Sequence, residues 1–116
     1  MTIAAIGETD QLHNLGSLDR IPPGEGRAYR VNGVEIAVFR MRRGEVYAVQ
    51  ASCPHAGGPL ADGLIGGRRV ICPLHGHAFD LETGASLRDS CPALRTYSVT
   101  LSEAGELLLR PPHPTP

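Results

Sequence analysis

Tryptophan and lysine are both absent from this 116-residue chain, and aromatic residues make up only 4% of it. All eleven basic residues are arginines; twelve acidic residues balance them and leave a net charge of −1. Without an excess of positive charge, no broad basic field is available to attract nucleic acid or an anionic membrane. The composition therefore argues against nucleic-acid binding, and the chain length leaves no room for a second catalytic domain.

Long hydrophobic runs are missing as well. Near the start, the only apolar run is the short segment 2–6, and no basic segment precedes it, so the start resembles neither a secretory signal nor a membrane span. We therefore expect a cytoplasmic protein. The three cysteines (Cys53, Cys72 and Cys91) cannot all pair, and a reducing compartment disfavours structural disulfides. Metal binding or a free thiol is the expected role of each sulfur.

Glycine and proline are abundant, with 14 and 10 residues, and helix-period segments are absent, so a helical bundle is not expected. Short alternating runs closed by glycine turns instead predict antiparallel strands. Segments 27–31 and 34–41 flank Asn32-Gly33, a pair that suits the two-residue type I′ turn of a hairpin. Segment 46–50 is predicted as the third strand of a meander.

The strand from residue 34 onward is expected to bury one face, formed by Val34, Ile36 and Val38. A closing hairpin is predicted from segments 96–102 and 106–110 around Ala104-Gly105.

Segment 51–95, between these two β-rich stretches, is dense in Gly, Pro, Cys and His. It contains two short strand candidates, 68–71 and 78–81. We interpret it as an insertion that carries the functional site into a single domain of residues 1–116. The base of that domain is expected to comprise about 12–50 and 96–110, with 111–116 as a flexible tail that cannot continue a strand.

Two Cys/His pairs lie in this insertion. Cys53 and His55 are separated by one residue, Cys72 and His75 by two, and sixteen residues stand between His55 and Cys72. Four soft or borderline ligands in two tight loops are typical of a metal site. Each cysteine is followed by a proline, and glycines follow each histidine, so backbone is free to close around thiolate or inorganic sulfide.

The two loops resemble the Rieske pattern, C-x-H and C-x-x-H-G with a spacer of sixteen. The resemblance continues through Gly57-Gly58-Pro59-Leu60, Phe79-Asp80-Leu81 and Thr83-Gly84, and it covers approximately residues 21–109. It implies an all-β Rieske fold of three small antiparallel sheets, in which a base subdomain carries an inserted cluster-binding subdomain, here about 51–95.

Membership of that family implies a [2Fe–2S] cluster as the cofactor. Cys53 and Cys72 would bind one iron, and His55 and His75 would bind the other. His77 is expected at the surface or near the cluster without binding iron, and Cys91 is expected to be a buried bystander.

The sequence carries no candidate nucleophile with a nearby base and no phosphate loop, which argues against a catalytic role. The resemblance implies a function in electron transfer. We expect an electron carrier without catalytic residues, which takes single electrons from a flavin-dependent reductase, passes them to a terminal oxygenase, and is monomeric when free. A second hypothesis is the small subunit of an assimilatory NAD(P)H nitrite reductase. A third is a structural zinc module, although C-x-H spacing is uncommon in such modules.

The reduction potential can be predicted from the same resemblance. High-potential Rieske proteins carry a disulfide between the two loops, and a serine and a tyrosine hydroxyl that donate hydrogen bonds to sulfur. The corresponding residues here are Gly58 and Leu74 for the disulfide, and His77 and Phe79 for the hydroxyls. Fewer hydrogen bonds to sulfur disfavour the added electron, so a low potential is expected.

Overall fold

The structure is a computed structural model that describes residues 12–54, 57–74, 76–87 and 92–110. The described residues form ten strands: β1 (His13–Ser17), β2 (Glu25–Val31), β3 (Val34–Arg40), β4 (Val46–Gln50), β5 (Leu64–Gly66), β6 (Arg69–Ile71), β7 (Ala78–Asp80), β8 (Thr96–Tyr97), β9 (Val99–Leu101) and β10 (Glu106–Leu109). Two short 3₁₀ helices lie between strands: Leu18–Arg20 between β1 and β2, and Leu60–Asp62 between β4 and β5.

Three antiparallel sheets result, with the strand orders β1-β10-β9, β2-β3-β4-β8 and β5-β6-β7. The predicted all-β architecture of three small sheets is therefore confirmed. None of the helices in the described residues is long and apolar enough to cross a membrane.

The predicted meander is also present. β2 and β3 pair in register up to Val31 opposite Val34, so that Asn32 and Gly33 form the two-residue turn. Both have positive φ, 52° and 80°, as a type I′ turn requires. β4 then pairs with β3 over Ile36–Arg40.

Strand β3 differs from its prediction because it buries both faces. Ile36 and Val38 enter one hydrophobic core, as expected, while Ala37 and Phe39 are fully buried in a second core on the opposite face. Val34, predicted to be inward-facing, is 36% exposed at the start of the strand. The central strand separates two cores, so simple alternation identifies only half of its buried residues.

We call these two cores the base core and the site core. The base core comprises Leu15, Ile21, Val31, Ile36, Val38, Ala48, Leu107 and Leu109. The site core comprises Ala37, Phe39, Met41, Val49, Cys53, Leu60, Val70, Cys72, Phe79, Leu81 and Leu94.

The predicted closing strand 96–102 is divided between two sheets. β8 pairs with β4, whereas β9 pairs with β10 in the other sheet. The chain changes sheet at Ser98, whose carbonyl accepts a hydrogen bond from the N–H of Arg110. A single strand was therefore the wrong expectation, although the hairpin of β9 and β10 is present.

Candidate metal centre

The first cysteine loop begins three residues after β4 and is closed by its own backbone. The N–H of Cys53 donates to the carbonyl of Gly58 at 2.9 Å, and the N–H of Gly57 donates to the carbonyl of Cys53 at 2.7 Å. Gly57 has φ +73°, a left-handed conformation that glycine adopts without steric cost. The isolated bridge between Ser52 and Pro59 joins the two ends of this loop.

The second loop, which follows β6, has the same hydrogen bonds. The N–H of Cys72 donates to the carbonyl of His77 at 2.8 Å, and the N–H of Gly76 donates to the carbonyl of Cys72 at 3.1 Å. Gly76 has φ +74°. In both loops the cysteine N–H therefore donates to the carbonyl five residues onward. The cysteine carbonyl accepts from the N–H of a left-handed glycine four residues onward.

The two thiols are buried together. Cys53 is 2% exposed and Cys72 is 1% exposed, both belong to the site core, and both are unpaired. Phe79 and Leu60, each fully buried, are members of the same core. Thiolate is a soft ligand suited to iron–sulfur clusters, so two buried thiols in loops closed by backbone hydrogen bonds suit the sulfur-ligated half of such a site.

Gly58 holds the loops close to one another. A β-carbon built at this position would lie 2.7 Å from Sγ of Cys72, a distance shorter than real side chains tolerate. The backbone of the first loop thus passes directly beside the sulfur of the second loop. Because Gly58 has no side chain, nothing on this residue obstructs the sulfur, and the two buried thiols fit the sulfur-ligated half of an iron–sulfur cluster.

The structure describes only some of the other residues that the sequence predicts at the site. His55, His75 and Cys91 lie outside the described residues. His77 is partly buried immediately before β7, and its carbonyl accepts the hydrogen bond from Cys72. Phe79 is fully buried on β7 and has no hydroxyl to donate to sulfur.

An ionic network that the sequence did not indicate connects the turn before β6 to the end of β7. The guanidinium of Arg68 contacts Asp80 Oδ2 at 3.0 Å and Glu82 Oε1 at 3.0 Å. Oδ1 of Asp80 accepts hydrogen bonds from the N–H groups of Glu82 and Thr83. The pairing of Arg68 with acids twelve and fourteen residues away depends on the antiparallel register of β6 and β7, which no local pattern reveals.

The pKa of Asp80 reflects this environment. Burial acts to raise it, but hydrogen bonds from the N–H of Thr83 and from the guanidinium of Arg68 outweigh burial and hold the pKa of Asp80 below its ordinary value. The carboxylate is therefore ionised at neutral pH and anchors the turn that follows β7.

Comparison with known proteins agrees with this geometry. The family model of the Rieske [2Fe-2S] domain matches residues 11–98. The ferredoxin component of the naphthalene 1,2-dioxygenase/salicylate 5-hydroxylase systems of Ralstonia sp. is 38% identical over 95 residues, which cover 78% of this chain and 88% of that relative.

Two solved structures share the fold. The ferredoxin of carbazole 1,9a-dioxygenase from Nocardioides aromaticivorans IC177 aligns with a TM-score of 0.79 at 33% identity, over 87% of this chain and 98% of its own. A protein assigned as the NADH-dependent nitrite reductase small subunit of Mycobacterium tuberculosis aligns with a TM-score of 0.79 at 26% identity, over 84% of this chain and 92% of its own. The chain belongs to the Rieske [2Fe–2S] family.

Proposed function

We propose that Cys53 and Cys72 bind one iron of the [2Fe–2S] cluster and that His55 and His75 bind the other. The buried pair of thiols and the identical backbone bonding of the two loops support this assignment. A cluster ligated in this way accepts and releases one electron at a time. The match to the Rieske family model favours an iron–sulfur cluster over the structural zinc hypothesis.

The protein is an electron carrier and not an enzyme in its own right. We propose that a flavin-dependent reductase is its donor and that a Rieske-type terminal oxygenase is its acceptor. The observation that carries this proposal is the close relative from Ralstonia, a dioxygenase ferredoxin component of which the chain covers 88%. We propose further that the carrier is cytoplasmic and monomeric when free.

The surface next to the second loop supports transient docking. Leu74, adjacent to His75, is 54% exposed, and the cross-strand pair Leu64 and Ile71 is exposed on the outer face of the β5-β6-β7 sheet. Apolar side chains beside a redox centre give a partner a contact area that excludes water. Within the proposed domain, the segment of about 51–95 thus carries both the cofactor and the contact surface.

Stopped-flow oxidation is the test of this function. The reduced protein is mixed with an oxygenase component of the naphthalene dioxygenase class, and the recovery of oxidised-cluster absorbance is followed. We expect fast oxidation by the oxygenase that slows at least tenfold in a Leu64→Asp variant, while Leu101→Asp, an exposed leucine on β9, behaves as the unmodified protein. Oxidation no faster than by buffer alone would refute the proposed acceptor.

A second candidate is the small subunit of a nitrite reductase, which the equal TM-score of the Mycobacterium tuberculosis structure favours. Such a subunit forms a lasting complex with its catalytic subunit, whereas a ferredoxin dissociates after each transfer. Size-exclusion chromatography with a nitrite reductase catalytic subunit distinguishes the two: co-elution supports the subunit, and separate elution supports the diffusing carrier.

A further inference from the structure

A cleft of about 530 Å³ lies away from the metal loops, between the turn that joins β3 to β4 and the turn that joins β5 to β6. Its lining residues are Gly24, Met41, Arg42, Arg43, Glu45, Tyr47, Ile65, Gly66, Gly67 and Arg68. The volume falls in the range of small-molecule sites. Because β6 runs from this turn toward Cys72, about 10 Å of strand separates the cleft from the second loop.

Two guanidinium groups at the rim have no partner among the described residues. Arg42 and Arg43 are the central residues of a tight turn, which the N–H of Gly44 closes by donating to the carbonyl of Met41 at 2.9 Å. The guanidinium of Arg42 lies over Gly24, where a β-carbon would be 3.1 Å from its Nε. Within the described part of the chain, neither arginine side chain makes a hydrogen bond or an ion pair.

The unpaired guanidinium groups, and not an excess of positive charge, suit the cleft to an anion. The third guanidinium of the lining, Arg68, is already paired with Asp80 and Glu82 on the opposite wall. Glu45 is the one carboxylate among the lining residues, so with Asp80 and Glu82 three carboxylates balance the three guanidinium groups, and only Arg42 and Arg43 have their N–H groups unpaired within the described residues. Guanidinium forks match the two oxygens of a carboxylate, which makes that group the best fit to the rim.

The deeper part of the cleft is apolar. Met41 is buried in the site core, and Tyr47 and Ile65 pack against the same core. Burial and the nearby carboxylate of Glu45 raise the pKa of Tyr47, so its phenol remains a neutral hydrogen-bond donor at physiological pH. At Gly66 and Gly67 an added β-carbon would meet nothing within 4 Å, so this wall is open to an incoming molecule.

We propose that this cleft binds a small carboxylate with an aromatic or branched apolar body. Its carboxylate lies between the guanidinium groups of Arg42 and Arg43, and its body packs against Met41, Tyr47 and Ile65. The lining of the cleft includes none of Leu64, Ile71 and Leu74, which form the proposed docking surface, so binding does not require that surface to be free. The inference is independent of which protein receives the electrons.

Nuclear magnetic resonance titration of the holoprotein tests both halves of the ligand. The probes are benzoate, acetate as a carboxylate without the body, and benzyl alcohol as a body without the charge. We expect saturable shifts of the Gly44, Gly66 and Gly67 amides with benzoate at a Kd on the order of 1 mM. Acetate and benzyl alcohol should bind at least tenfold more weakly.

Variants then assign the binding to the cleft. The double variant Arg42→Gln/Arg43→Gln should weaken benzoate at least tenfold, and Glu45→Gln should tighten it. Arg30→Gln, an exposed arginine on β2 outside the lining, is the matched control and should leave the Kd unchanged. Equal affinity for acetate and benzoate, absence of saturation, or undiminished binding by the double variant would overturn the proposal.

Discussion

The side chain of Leu74 packs directly against the backbone of Gly58: a β-carbon built on Gly58 would lie 3.1 Å from Cγ and 3.2 Å from Cδ1 of Leu74. The resemblance places the inter-loop disulfide of high-potential Rieske proteins at these two positions. Here the positions are in contact, but an apolar side chain over a bare backbone takes the place of the bond. Packing alone connects the loops at this point.

This contact and the buried Phe79 predict a low reduction potential. Neither a disulfide nor a tyrosine hydroxyl reduces the negative charge on the sulfurs, so the midpoint should lie toward the bottom of the Rieske range of about −150 to +300 mV. Protein-film voltammetry measures it directly. Phe79→Tyr should raise the midpoint, whereas the control Tyr47→Phe should leave it in place. A midpoint of the unmodified protein above roughly +100 mV would contradict the expectation.

Substitution of Gly58 should interfere with cofactor loading. In Gly58→Ala the new methyl group would stand 2.7 Å from Sγ of Cys72, so one loop must move, at a cost of about 1–3 kcal/mol. We expect a lower iron content per protein and a lower melting temperature. Gly66→Ala is the matched control, because its β-carbon meets nothing within 4 Å. Full iron loading in Gly58→Ala would show that the close approach is not needed.

Loss of the cysteine ligands should abolish the chromophore. Cys53→Ser and Cys72→Ser each remove a soft ligand from the buried half of the site, so the visible absorbance of the purified protein should disappear. Cys91→Ser and His77→Ala are the controls and should keep their colour. A colourless Cys91→Ser variant would mean that this cysteine is more than a bystander.

The Asp80 network predicts the acid side of the stability profile. A carboxylate whose pKa is lowered by folding contributes stability above its ordinary pKa of 3.8, and the contribution is lost as the pH falls through the lowered folded-state value. Asp80→Asn should lower the free energy of unfolding at pH 7 by roughly 1–3 kcal/mol and weaken the pH dependence below pH 4.

Glu82→Gln is the control for that measurement. Its carboxylate also contacts Arg68 but is 59% exposed, so its loss should cost less than about 1 kcal/mol. Chemical denaturation of the three proteins at pH 7 and at pH 3.5 makes the comparison. An equal loss in both variants would mean that the backbone hydrogen bonds to Asp80 contribute little.

Much of the fold can be predicted from local sequence, because apolar and polar residues alternate along its strands and glycine-containing residue pairs mark its turns. The Asn32-Gly33 turn and strand β4 were predicted at the observed positions. Strand β1 was missed because only Leu15 is buried in it and a register shift between Asn14 and Gly16 breaks the alternation. Strand β5 was missed because it has three residues, of which Leu64 is 75% exposed.

The candidate site also has features that the local sequence predicts and features that it does not. Its ligand types are readable from the spacing of cysteine and histidine, but the contact of Gly58 with Cys72 depends on how two distant loops pack. The partition of β3 between two cores also lies beyond any local pattern, because the second core is built largely from residues beyond the meander. These features depend on long-range packing, which no local sequence pattern encodes.

Electron–nuclear double resonance on the reduced protein shows whether the cluster is ligated by both sulfur and nitrogen. With ¹⁵N-labelled histidine, we expect two strongly coupled nitrogens on the cluster, both retained in His77→Ala. A spectrum with no coupled histidine nitrogen, or the loss of one coupling in His77→Ala, would contradict the assignment of His55 and His75 as the ligands.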